Sequence, residues 1–384
     1  MADTNELQLP EVRLLGDCLL GTGASAGERE ELTAEPEPGV AAKPASRTFI
    51  ALFLVHYGLT VALVVLSFPA GIYTVFSGRL SQNVTYNSGV TPFLWIGPAA
   101  EYLPFQVNAG VLFGVLTAVY LGFLIYSVWQ KERIGAAVSA SLKQGFGALL
   151  SSPFVVVIVS IGFLTFTASM IDLLVSSTGA PIGGPTGDPL ALFLSFAYSP
   201  LVEEFGFRVV LIGTVALILS MNRPWKTALG ALWRPSRAIE GFALGSGASI
   251  IIWAATSFSA VTFGACHVVC GNTWDIGKLP EAVYGGFVLG YLYVRYGFHV
   301  AVLAHWGVDF LGSVYAFFGQ AAYGIPWNSA TQEYAGQYAF DLDMLFLFGL
   351  ASFLLVVYLG VRKLVRWRSG ELSGEYDKSL LGGG

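Results

Sequence analysis

The chain has 384 residues, of which 54% are hydrophobic and only 12% charged. A soluble protein of this length needs far more charge on its surface, so composition places the chain in a membrane. A formal net charge of −5 argues against a nucleic-acid partner.

Residues 1–47 are rich in Glu, Ala, Gly and Pro (ELTAEPEPGVAAKPAS) and lack a sustained apolar period, so they are expected to form a disordered acidic tail. No apolar core precedes residue 48, so no secretory signal peptide is expected. From Phe49 onward, charge-poor apolar stretches recur as far as Val361. Each is roughly 20 residues long, enough to cross about 30 Å of hydrocarbon. Spans are expected near 49–72, 108–130, 152–174, 190–221, 241–268, 281–296, 298–319 and 342–365. The runs are continuous rather than alternating, and backbone groups in lipid must be paired internally. The expected fold is therefore an all-α polytopic membrane protein, a bundle of about eight transmembrane helices.

The 190–221 run exceeds the length of one span and carries Pro200, so a break or interfacial segment is expected ahead of the spanning helix. Glycines at 241, 245, 247, 285, 286 and 290 suit close helix packing. The divisions expected are the tail (1–47), N-terminal transmembrane helices (48–188), a catalytic core (189–319), and a last helix with a basic, flexible C-terminal tail (320–384).

Orientation follows from the connections. Lys131, Arg133 and Lys143 follow the second span, and Arg223, Lys226, Arg234 and Arg237 follow the fourth. Arg295 lies at the turn after the sixth, and Arg362, Lys363, Arg366 and Arg368 end the eighth. The opposite connections hold only Arg79 and Lys278, with acids at Glu101, Asp188, Asp275, Glu281, Glu333 and Asp341. This asymmetry predicts an integral multi-pass protein with both termini in the cytoplasm. Asn83-Val84-Thr85 is a glycosylation triplet in an outer connection, a pattern that often arises by chance. Three cysteines are too few for a disulfide framework. Cys266 and Cys270 lack the two-residue spacing of a metal or redox pair and read as small apolar residues.

Ionisable residues within the spans are few, and each is a functional candidate by default. His56 reads as a packed, hydrogen-bonded core histidine, Asp172 as a residue of the outer interface, and His299 as interfacial. The run SPLVEEFGFRVVLIG is different. Glu204 and Arg208 are one helical turn apart and can pair on one face. Glu203 projects about 100° away from Glu204 and has no local cation. A carboxylate so placed in a low-dielectric setting is suited to take and return protons. Two further helices carry Phe263 with His267, and His305 with Asp309, each pair four residues apart.

The order Glu203-Glu204-x-x-x-Arg208, Phe263-x-x-x-His267, His305-x-x-x-Asp309 resembles the three motifs of the CPBP intramembrane proteases. That family includes CAAX prenyl endopeptidases, Abi-type proteins and lysostaphin-resistance-like proteins. The resemblance covers roughly residues 189–315 and implies a glutamate-dependent endopeptidase acting on membrane-associated or C-terminal, CAAX-like peptides, prenylated or not. It implies that Glu203 activates water with help from His267, that Glu204 and Arg208 position it, and that His305 and Asp309 stabilise the oxyanion. Phe207 and Phe263 are expected to line the substrate cavity. Asp309 departs from the pattern, because many members carry Asn there. An ionised Asp cannot donate to an oxyanion, so Asp309 either acts protonated or orients His305. No cofactor is implied.

Two other readings compete. Glu203 or Glu204 with His267, His305 and Asp309 offers ligands to zinc, making a metal-dependent protease, although no HExxH run occurs. The same polar cluster would also suit a transporter or a non-catalytic immunity or scaffold protein. No inverted repeat supports transport. The cavity is expected near mid-membrane between the fourth, fifth and seventh spans, with its mouth toward the cytoplasm.

Overall fold

The computed structural model describes residues 47–130, 134–144, 146–239, 246–270, 273–326 and 339–368. The expected acidic tail, Gly241, Gly245 and the end of the chain lie outside the described residues. The long helices are α1 (Arg47–Phe76), α2 (Ala109–Trp129), α4 (Pro153–Ser177), α9 (Gly247–Val269), α10 (Leu279–Tyr296), α11 (Phe298–Tyr323) and α12 (Ala339–Arg368). Another helix runs unbroken through Pro189–Leu219 as α5 (Pro189–Glu203), a π-helical stretch (Glu204–Gly213) and α6 (Thr214–Leu219). Short helices α3 (Ile134–Gln144), α7 (Trp225–Gly230) and α8 (Pro235–Ala238) sit in the connections.

Six helices among the described residues are long and apolar enough to cross a membrane. The other two expected spans are helices as well: α10, and the one containing Glu203. The chain is thus an all-α polytopic membrane protein. The irregularity expected near Pro200 takes another form. No break separates two segments. The helix instead widens into i→i+5 pairing one turn after the proline, a geometry that recurs at functional sites. Ser259 Oγ of α9 donates to the Phe207 carbonyl within the widened segment at 2.6 Å.

Local chemistry sets the boundaries. Asp188 caps α5, its Oδ1 accepting from Leu190 N at 2.9 Å, with Pro189 in the first turn, where its missing N–H costs nothing. Gly297 joins α10 to α11 at φ +106°, a conformation that L side chains rarely adopt. Helix α9 packs along α10, α12 along α4, and α11 at the centre against α1, α4 and α5. Of the glycines expected to allow close packing, Gly286 and Gly290 do so against Ala260 and Thr256 of α9, whereas Gly247 and Gly285 face open space.

Strands occur only in the α1–α2 connection among the described residues. Antiparallel β1 (Gly89–Val90) pairs with β4 (Val107–Asn108), and β2 (Phe93–Ile96) with β3 (Ala99–Tyr102). The β2–β3 hairpin lies against the π-helical segment. Phe93 N donates to the Tyr198 hydroxyl at 3.2 Å, and that hydroxyl donates back to the Phe93 carbonyl.

The two ends of the bundle are tied separately. At one, Phe298 N donates to the Trp233 carbonyl at 2.8 Å and Arg234 Nε to the Arg295 carbonyl at 2.8 Å. At the other, the α4–α5 and α9–α10 connections are stitched by Gly184 N to Thr273 O at 3.1 Å and Asp275 N to Ile182 O at 2.9 Å.

Candidate functional site

The π-helical turn presents Glu204 and Arg208 to the interior, where both are fully buried. Glu204 Oε2 lies 3.1 Å from Arg208 Nε, as their spacing predicts. The guanidinium carbon of Arg208 sits 4.6 Å from the centre of the Phe263 ring, whose π face suits a cation in a dry site. Its two terminal amino groups have no hydrogen-bond partner among the described residues, so the carboxylate and the ring are what hold the charge there.

Helix α11 brings His305 against the same pair. Its Nδ1 lies 3.0 Å from Glu204 Oε1, a charge-assisted contact within hydrogen-bond range. Its Nε2 faces two other carboxylates, Glu203 Oε2 at 3.8 Å and Asp309 Oδ2 at 3.5 Å. Glu204 thus bridges Arg208 and His305, while Glu203 meets only the outer nitrogen of the same imidazole. Asp309 sits where it can orient the ring of His305 one turn earlier in the helix.

His267 approaches from α9. Its Nδ1 is 2.9 Å from the Phe263 carbonyl of the preceding turn, so the ring donates there and turns Nε2 elsewhere. Phe263 packs 4.6 Å from the His267 ring and 5.8 Å from the His305 ring, separating the two histidines. No hydrogen bond or ion pair joins His267 to Glu203 among the described residues; the two share a cavity rather than a contact.

That cavity, about 170 Å³, is lined by Glu203, His267, His305 and Asp309 together with Phe263 and apolar residues of α4, α5 and α10. It continues to Pro185, Thr273, Trp274 and Lys278, so its mouth lies at the end where the α4–α5 and α9–α10 connections meet. Among the described residues, none from the opposite, arginine-bearing end lines it. The expectation of cytoplasmic arginines and that of a cytoplasmic mouth therefore exclude one another.

Phe263 lines the cavity as expected, but Phe207 does not. Its ring is buried with Trp95, Val202, Phe263 and Cys266. At α-helical spacing Phe207 would stack on Glu203. It packs instead against Trp95 of the hairpin and the edge of Phe263. Trp95 of β2 was not legible as part of this site, yet it packs on Phe207 at 5.8 Å and closes over Gly206.

Cys266 and Cys270, read from sequence as small apolar residues, are joined as a disulfide flanking His267. One helical turn brings their Cα atoms to 4.7 Å, within bridging range. His56 lies on α1, its Nδ1 3.0 Å from the Leu52 carbonyl, outside the cluster. His299, expected at an interface, is buried: Gln130 Nε2 lies 2.8 Å from its Nε2, and Trp233 stacks on its ring at 5.5 Å. Asp172 is half-buried in α4, and its Oδ1 has no hydrogen-bond partner among the described residues. No group of three or more His, Cys, Asp or Glu side chains among the described residues is disposed to hold a metal ion, and Glu204 is already engaged by Arg208 and His305.

Residues 185–311 match the family model described as type II CAAX prenyl endopeptidase Rce1-like. The matched region contains all three motifs and agrees with their resemblance to the CPBP intramembrane proteases. Over that third of the chain the sequence is similar to a peptide-hydrolase family, and the long apolar helices make the chain a multi-pass membrane protein. No curated protein and no solved structure matches the chain.

Proposed function

We propose that this Rce1-like chain is an intramembrane endopeptidase that uses Glu203 as its general base. The observation that carries the reading is the convergence of Glu203, His267, His305 and Asp309 on one water-accessible cavity, with Glu204 buried behind the His305 ring. Glu203 Oε2 and His305 Nε2 are too far apart for a direct hydrogen bond and close enough to touch one water molecule.

In this mechanism Glu203 takes a proton from that water as its oxygen attacks the scissile carbonyl carbon. The carbonyl oxygen becomes an oxyanion, toward which His305 offers Nε2–H when the ring carries both protons. Glu204 holds the ring through Nδ1, Arg208 neutralises Glu204, and Asp309 aligns the imidazole. Glu203 then returns its proton to the leaving amine, and the C–N bond breaks. His267, on the facing wall, orients the water or the peptide. The hydrolysis is complete without a metal ion or other cofactor.

The substrate class is a membrane-associated peptide or protein. A prenylated CAAX terminus is one form that the family description suggests. Comparing the termini of membrane peptides from cells carrying the wild-type chain and Glu203→Gln tests the reading. New termini that vanish with Glu203→Gln support it. Identical sets of termini overturn it.

A further inference from the structure

Among the described residues the cavity reaches one end of the bundle, and lysines and arginines concentrate at the other. Among residues outside the long helices, the cavity is lined by Pro185, Thr273, Trp274 and Lys278. All four belong to the α4–α5 and α9–α10 connections, which are hydrogen-bonded to one another. Helix α10 leaves this end at Leu279 and arrives at Tyr296, so its 18 residues separate the mouth from the opposite end by about 27 Å. That opposite end holds Arg223, Lys226, Arg234, Arg237 and Arg295, whereas Lys278 is the sole lysine or arginine in the two mouth connections. Lys278 is moreover offset by Glu281, 2.5 Å away.

Lysines and arginines in short connections stay on the cytoplasmic side of a membrane. The end bearing the mouth is then the non-cytoplasmic one. We infer that substrate enters this cavity from the non-cytoplasmic face, so that the bond cut lies in an extracytoplasmic segment next to a membrane span. The inference rests on the proteolytic reading of the site and narrows it. A peptidase of this orientation does not meet the free cytoplasmic C-termini that a CAAX description suggests.

The lining suits such a segment. Near the mouth stand the indole of Trp274 with Lys278 above it at 4.3 Å, and the hydroxyl of Thr273. Leu164, Phe196 and Leu289 add apolar walls to the cavity that Glu203 and His305 line. Counting from Pro189, Glu203 lies about 21 Å along its helix from the mouth end. A substrate chain must be extended and drawn into the bundle to reach it, as a juxtamembrane segment leaving its own span can be.

Two measurements on the full-length protein in intact cells test this. Thr273→Cys and, separately, Arg237→Cys are introduced with Cys18, Cys266 and Cys270 replaced by alanine, and probed with a membrane-impermeant thiol reagent. The structure predicts labelling of Thr273→Cys from outside and of Arg237→Cys only after permeabilisation; the reverse pattern overturns the inference. Asp275→Cys, on the same exposed connection, serves if Thr273→Cys expresses poorly. In parallel, single-span reporters carry ten random residues beside the span, on the outer face in one library and on the cytoplasmic face in the other. Cleavage dependent on Glu203 is expected in the outer library, and its confinement to the cytoplasmic library overturns the inference. Absence of Glu203-dependent cleavage from both libraries strikes at the protease reading instead, and the labelling pattern still decides the orientation.

Discussion

Glu204 meets His305 through Oε1 at 3.0 Å while holding Arg208 through Oε2 at 3.1 Å. One carboxylate thus fixes both a guanidinium and an imidazole, and this division of labour leaves the neighbouring Glu203 facing the cavity. The adjacent glutamates of the sequence are chemically different residues because the helix sends them to different partners.

Removing Arg208 should damage the protein before it damages the chemistry. Arg208→Ala strands Glu204 in a fully buried site, and breaking a buried pair in this way costs about 3–5 kcal/mol. The expected outcome is a lowered unfolding temperature in detergent and reduced expression, with activity lost as well. Arg208→Ala combined with Glu204→Gln should regain part of the stability and none of the turnover. Wild-type stability of the single variant would show that the pair is not buried.

Gly206 is predicted to tolerate no side chain. A Cβ there would lie 2.3 Å from Trp95 Cβ and 2.7 Å from the Trp95 carbonyl oxygen. Overpacking of this kind costs about 1–3 kcal/mol. Because backbone as well as side chain blocks the space, Gly206→Ala should remain destabilised when combined with Trp95→Ala. Thermal unfolding of both variants checks this, and full rescue by Trp95→Ala would show that the hairpin backbone is free to move.

Much of this arrangement was legible in the chain. The spans were readable because apolar runs of membrane length have few alternatives, and the i,i+4 pairs Glu204–Arg208 and His305–Asp309 follow from helical spacing. The meeting of His305 with Glu204, 101 residues apart, is a tertiary fact that helical spacing alone does not supply. Phe207, expected in the cavity, packs instead on Trp95, a partner more than 100 residues away that helical spacing does not reveal. The hairpin was missed because FLWIGPAAEY does not alternate apolar with polar residues. Its anchor, Tyr198, stands 105 residues from Phe93. The Cys266–Cys270 bond is not legible from the two-residue spacing of metal and redox pairs, although one turn at the end of α9 brings the two residues within bridging range.

Histidines provide a contrast that separates chemistry from stability. His267→Ala and His305→Ala should each lower turnover, since both rings line the catalytic cavity. His56→Ala should leave turnover unchanged, because among the described residues the His56 ring bonds only its own helix on α1. Purified variants assayed on one membrane peptide check this. Equal losses from all three would mean that the assay reads folding.

Turnover should survive excess chelator. Glu203 supplies the base in this account, and Glu204, the other glutamate at the site, is bound to Arg208 and His305. Activity lost on prolonged chelation and restored by zinc would favour the metal-dependent alternative.

The most direct test of glutamate catalysis is turnover by purified Glu203→Gln. The substitution keeps the shape of the side chain and removes its capacity to accept the water proton. Loss of a general base typically lowers the rate about 10²–10⁴-fold. Turnover is expected to fall by that factor while the unfolding temperature stays at the wild-type value, whereas near-wild-type turnover by the folded variant would contradict the account.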